Sequence, residues 1–313
     1  GVHATGLESS SSLGPVEATE EIILGLESKA GEAWDAAKKV YYRFLDWIVE
    51  QFNKLFGGYE SLKSKAIALK KKEEAFDGTL SKDRIKVNLN LLIEGSDGTT
   101  LSTNIAKGIT DLVAMASTKV EAVEDAAKTV VETCGEALDK PVADWTADGN
   151  TAPTVLTKIG EKTTLLNNAI GEMAGSYLGG RTASVDADNA TKLEFKAPTK
   201  GPGSKEQAPL TRDKISAIAD AVEDGAKELI AARKKIADVK KAKSEFEKIS
   251  KASATLLDDS DFADVKAVIR TNDKLIQNVS LIATGSIRVK ALGFTMATMK
   301  EALSYADKSL KAA

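Results

Sequence analysis

Eight of the sixteen aromatic residues in this chain fall within the 26 positions from Trp34 to Tyr59, WDAAKKVYYRFLDWIVEQFNKLFGGY. Apolar groups at Trp34, Ala37, Tyr41, Phe44, Ile48, Phe52, Leu55, Tyr59 and Leu62 step by three or four, the spacing of one helix face. Val40, Leu45, Trp47, Val49 and Phe56 widen that face beyond a narrow seam. Aromatic side chains bury large areas, so this helix predicts the largest single contribution to a core. The alternative is a membrane-active or partner-binding helix over 34–59, with Trp and Phe outward and Lys38, Lys39, Arg43 and Lys54 on the polar side. Asp35, Asp46 and Glu50 share that polar side and weaken attraction to anionic lipid, so core burial is the expectation. Gly57-Gly58 predicts a break or bend at its end.

Outside this helix the chain must pack with Ala, Leu, Ile and Val, since aromatics make up only 5% of it. A length of 313 residues, with 42% hydrophobic and 28% charged side chains, allows a sizeable core. The net charge of −3 gives no global attraction to nucleic acid or acidic membranes. One cysteine, Cys134, rules out an internal disulfide framework, and VVETCGEAL predicts a small buried thiol. The one histidine, His3, sits among small polar residues at 1–14 that predict disorder. Catalytic triads, zinc sites and imidazole bases need a folded histidine, so composition argues against them. Phosphate loops, dinucleotide fingerprints, paired-cysteine sites and nucleophile elbows are absent from the sequence. No catalytic residue, metal site or cofactor is expected.

Along the chain, Pro15–Ser28 predicts a short helix with Glu17, Glu20 and Glu21 at its start. Ile85, Val87, Leu89, Leu91 and Ile93 alternate with polar residues and predict a strand over Arg84–Ile93. Ser102 or Thr103 is expected to cap a helix running to about Asp139. A loop over 141–153 with Trp145 leads into a helix over Thr154–Tyr177, ended by Gly179-Gly180. RTASVDADNATKLEFKAP predicts a hairpin, with Ala183 and Val185 on one arm, Leu193 and Phe195 on the other, and Asp186, Asp188 and Asn189 at the bend. This hairpin is expected to pair with Arg84–Ile93 in one small sheet. Heptad spacing at Ile215, Val222, Leu229 and Ile236 predicts a helix from Thr211 to about Thr255. Residues 227–251 hold nine basic and four acidic side chains, the pattern of a solvated face. A last helix, capped near Ser260, runs to Leu310, with Gly285 and Gly293 as expected bends.

The expected fold is therefore mainly α, an elongated bundle of long helices with a small antiparallel β-sheet. Four parts are expected. They are a flexible leader (1–27), a helical body with the sheet (28–198), a linker or exposed loop (199–210), and a long two-helix hairpin packing on the body (211–313).

One feature is repeated. Gly-Leu-Glu-Ser occurs at Gly6–Ser9 and again at Gly25–Ser28, and Ala18-Thr19-Glu20 has the same small-x-Glu form between them. Behind this leader come the aromatic helix, the Gly-Gly-led hairpin and a closing helix that ends Leu303-Ser304-Tyr305-Ala306-Asp307-Lys308-Ser309-Leu310. In that order the features resemble the internal head proteins, or inner-body and core proteins, of giant phiKZ-like tailed bacteriophages. The resemblance implies a non-enzymatic structural protein of the virion, made in the host cytoplasm and packaged in the head interior. It implies that a prohead protease cuts after the Glu of such sites and removes the leader. Carried over, the candidate processing sites are Glu8, Glu20 and Glu27, followed by Ser9, Glu21 and Ser28. Glu21 departs from the small residue expected after a cut. The implied partners are the prohead protease, capsid or other head-core proteins, and packaged DNA through weak contacts. No small-molecule substrate and no membrane partner is implied.

Overall fold

The apolar spacing that begins at Trp34 produces α1, Trp34–Ala75, a helix of 42 residues that carries on through the basic run behind the aromatics. The structure, a computed structural model, describes residues 34–80, 83–94, 100–139, 142–239, 241–242 and 273–311. Tyr41, Phe44, Trp47, Ile48, Phe52, Leu55, Phe56, Tyr59, Leu62, Ala66 and Leu69 are all buried along α1. From Tyr41 onward the aromatic face is thus largely occupied by the protein's own core, with Tyr42 half-buried. The Trp34 side chain lies outside the described residues. The expected break at Gly57-Gly58 does not occur. A Cβ at Gly58 would lie 2.6 Å from Cε of Met296, so this glycine lets another helix approach instead of ending its own.

Ile85 and Val87 point inward and Lys86 outward in β1, Ile85–Asn88. The strand is shorter than the alternation predicted. Asn88 accepts a hydrogen bond from the amide of Asn90 and starts a 3-10 turn over Leu89–Leu91, after which Ile93 bridges to Leu101. Its backbone partner is β5, Ser204–Gln207, antiparallel from Ile85↔Gln207 to Asn88↔Ser204. That strand lies in the stretch 199–210 expected as linker or loop.

Next come α2, Ile105–Ala114, one π-helical turn at Met115–Lys119, and α3, Val120–Asp139. The cap is Asn104, whose Oδ1 accepts from the amide of Lys107 at 3.1 Å, while Ser102 Oγ accepts from Asn104 one step upstream. The expected loop before Pro153 contains a short α4, Val142–Ala147. A capping box between Thr151 and Thr154 opens α5, Ala152–Met173. This helix ends four residues before the predicted Tyr177, because Gly175–Tyr177 is β2, the first strand of a second sheet.

That sheet has the order β2-β3-β4, with β3 at Arg181–Val185 and β4 at Leu193–Lys196. Its hairpin register, Ala183↔Phe195 and Val185↔Leu193, matches the sequence expectation. Gly179 and Gly180 turn the chain with φ of 90° and 63°, conformations that L side chains rarely adopt. A Cβ on Gly179 would also strike the Asn90 carbonyl oxygen at 2.6 Å. Asp186 spends its Oδ1 on the amides of Asp188 and Asn189, an Asx turn. The described residues therefore form two small antiparallel sheets, where one was expected.

The chain returns as α6, Arg212–Ile230, which tightens into a 3-10 segment at Ala231–Lys235 and is helical again over 236–239; the predicted end near Thr255 lies outside the described residues. Ile215, Val222 and Leu229 are buried, and α6 lies antiparallel on α1. Ion pairs Glu73–Arg212, Lys70–Asp220 and Glu60–Arg233 mark that direction. The expected cap at Ser260 lies outside the described residues. The last elements are α7, Asp273–Thr284, and α8, Ser286–Lys311. Gly285 separates them at φ +118°, as expected, whereas Gly293 lies inside unbroken helix.

Between Ser286 and Met299 nearly every residue of α8 is buried. It packs on α1, α2, α6 and β1, while α3 packs on α5 and α7. The centre of the protein is this helix, with the aromatic helix as its largest neighbour.

Candidate functional site

Glu8, Ser9, Glu20, Glu21, Glu27 and Ser28 all lie outside the described residues. Within the described body, polar chemistry concentrates around α8. A helix at the centre of a core has no solvated side, so each of its polar groups needs a partner in the protein.

Arg288 is 2% exposed and Glu124 of α3 is 6% exposed. Arg288 Nε donates to Glu124 Oε1 at 2.8 Å and Oε2 at 3.1 Å, and Nη2 also donates to Oε1. Burial raises the Glu124 carboxyl above its ordinary range, against the pull of Arg288 and, more weakly, of Lys235. A small polar cavity of about 80 Å³ lies beside the pair, lined by Glu124, Asp125, Lys128, Lys235 and Asp238 among others.

A second arginine ties the three-stranded sheet to α8. Arg181 donates through Nε to the Leu178 carbonyl at 3.2 Å, through Nη1 to the Phe294 carbonyl at 2.7 Å, and through Nη2 to Thr298 Oγ1. Its guanidinium also stacks 3.9 Å from the Phe294 ring centroid. Burial lowers its pKa to about 10, still far above neutrality, so it stays cationic. Tyr59 of α1 donates its hydroxyl to the Leu292 carbonyl, and burial pushes that phenol well above its usual range.

A cleft of about 290 Å³ lies between β4 and the α7–α8 turn. Leu193, Phe195, Ile282 and Ile287 supply its apolar wall. At its rim Asn278 Nδ2 donates to Thr191 Oγ1 at 2.8 Å.

These groups hold helices together. The buried arginines spend their donors on carbonyls, a hydroxyl and one carboxylate, and none is paired with a nucleophile. Among the described residues no cluster of three or more His, Cys, Asp or Glu could hold a metal ion. No helix among them is long and apolar enough to cross a membrane. Cys134 is buried and its thiol is pushed up to about 12, so the thiolate needed for reaction is scarce near neutrality. Alkylation of Cys134 in native buffer is accordingly expected to be at least ~100-fold slower than in denaturant. Equal rates, followed by mass spectrometry, would show that the thiol is accessible.

The partnership of Arg288 with Glu124 spans 164 residues and no local spacing announces it. One signal did exist. Between Asn278 and Met299 only Arg288 and Lys290 carry charge, unusual for a helix bordering water.

A family model for phiKZ-like phage internal head proteins matches residues 3–308. No curated protein and no solved structure matches the chain.

Proposed function

We propose, since this chain belongs to the phiKZ-like phage internal head proteins, that it is a non-enzymatic structural protein of the head interior whose leader is removed by proteolysis. The observation that carries this proposal is the match over 3–308, which spans the leader and the body alike. The body supports it physically: its charged interior groups brace helices, and α1 supplies a large part of the described core. Glu8, Glu20 and Glu27 all precede Trp34, so cutting after any of them leaves α1 whole. A protease needs extended backbone in its cleft, so sites ahead of the body suit removal without unfolding it. The partners of this reading are the prohead protease, capsid or other head-core proteins, and packaged DNA through weak contacts.

Virion-derived protein is expected to begin at Ser28, or at Ser9 or Glu21 where processing stops earlier. Glu27→Gln should block the last cut and leave folding unchanged, because it alters no residue of the body from Trp34 onward. Mass spectrometry of the packaged chain decides it: an intact leader, or a start at none of these three residues, contradicts the processing.

A further inference from the structure

Small-x-Glu tripeptides are not confined to the leader. Taking Gly, Ala or Ser as the small residue, the described body holds five: Gly58-Tyr59-Glu60, Ala122-Val123-Glu124, Ser204-Lys205-Glu206, Ala221-Val222-Glu223 and Ala226-Lys227-Glu228. Four of them lie within α1, α3 and α6. Their backbones are wound into helical hydrogen bonds, and Tyr59, Val123, Val222 and Ala226 are buried in the core. A protease could read them only after the helix and its packing had opened.

Ser204-Lys205-Glu206 is different. It forms most of β5, so its backbone is already extended, and all three residues are exposed. The two-stranded sheet pairs β5 along one edge only, with β1, and a lone pair of strands is marginal in water. A protease cleft takes its substrate as an added strand, the geometry β5 already has. Gly203, at φ +70°, and Pro202 precede the strand and Pro209 follows it, so the segment is set off from the helices on either side.

The geometry points to Ser204-Lys205-Glu206 as a further processing site in the folded body, hydrolysed between Glu206 and Gln207. This rests on the small-x-Glu processing proposed for the leader. Water adds to the Glu206 carbonyl carbon and the bond to the Gln207 nitrogen breaks. Glu206 gains a carboxylate and Gln207 an amine, and no other reactant is consumed. The carbonyl concerned accepts from Arg84 Nη2 at 2.7 Å, an exposed contact that must yield as the strand enters a cleft.

The two halves stay together after the cut, because the chain is fastened on both sides of it. Upstream, the Gly203 amide donates to Asn90 Oδ1 at 2.9 Å, and the Leu89 amide donates to the Gly203 carbonyl at 3.1 Å. Downstream, Tyr305 donates its hydroxyl to the Ala208 carbonyl, and the Leu210 amide donates to Ser309 Oγ at 2.9 Å. Beyond these contacts α6 and α8 remain packed on α1 and α2. The product is a nicked protein with an unbroken core.

The test is limited digestion of the folded full chain with a glutamate-specific endopeptidase, read by mass spectrometry, alongside the chain recovered from particles. Among the five body tripeptides, the first cut is expected after Glu206. It yields a fragment that starts at Gln207, free or cyclised to pyroglutamate, and that co-elutes with its other half until denaturant is added. Glu206→Gln should abolish this fragment and leave leader trimming unchanged. Cuts after Glu60, Glu124, Glu223 or Glu228 that precede the one after Glu206 would overturn the inference. So would particle-derived protein with a trimmed leader and an intact Glu206–Gln207 bond, which leaves the leader proposal standing. Particle-derived protein that keeps its leader overturns both.

Discussion

Arg288→Met on its own is expected to destabilise the protein by about 3–5 kcal/mol, since it strands a carboxylate that the fold has taken out of water. Arg288 donates to both carboxylate oxygens of Glu124, and both side chains are almost fully buried. Glu124→Leu alone should cost a similar amount by leaving the guanidinium stranded. The double variant Arg288→Met, Glu124→Leu removes both charges together and should recover most of the loss, because a buried ion pair contributes little net stability over an apolar pair of similar volume. Chemical denaturation of the four proteins gives the coupling directly. Additive losses would mean that the two residues do not act as a pair. The small polar cavity beside them limits the effect, because water there can solvate a stranded charge.

Gly285→Ala is expected to cost about 2–6 kcal/mol, from two separable causes. The residue holds φ at +118°, where an L side chain is strained by roughly 1–3 kcal/mol. Its new Cβ would also lie 2.5 Å from Cζ of Phe52, an overpacking of about 1–3 kcal/mol. The turn from α7 into α8 is thus closed against the middle of the aromatic helix. Phe52→Leu in the Gly285→Ala background shortens the side chain at the contact and should relieve the second cause while leaving the first. A double variant less stable than the sum of the single changes would show that Phe52 does not crowd Gly285.

Much of the helical architecture was legible because burial needs periodicity. The face of α1 could be read from its aromatics, and the hairpin at 181–196 from two alternating arms around an Asx turn. Gly57-Gly58 was misjudged because a glycine's conformational freedom and its lack of a side chain give the same letter. The second property is the one used, where Met296 meets Gly58. The strand β5 was invisible for a related reason. Ser204-Lys205-Glu206-Gln207 offers no apolar alternation, and it is a strand because β1 presents a backbone edge to it. That pairing spans more than a hundred residues and leaves no trace in local composition.

The same distance hides the polar centre. Arg181, Arg288 and Glu124 look like solvated charges when read along their own segments, and only tertiary packing brings Arg181 to the Phe294 carbonyl and Arg288 to Glu124. The central place of α8 could have been suspected from its scarcity of charge between Asn278 and Met299. A periodic helix was the easier signal, because amphipathic contrast disappears when every side of a helix is covered. The candidate processing sites were legible as repeated tripeptides, yet they lie outside the described residues and depend on the family for their meaning.

Residence inside the head is the central claim, and protease protection of intact particles tests it most directly. Purified virions are treated with an external protease, before and after the capsid is opened, and the chain is quantified by mass spectrometry. Peptides from the body, Trp34 to Lys311, are expected at full abundance in intact treated particles and should be lost once the capsid is opened. Loss of those peptides from intact particles, or their absence from purified particles altogether, would contradict a place in the head interior.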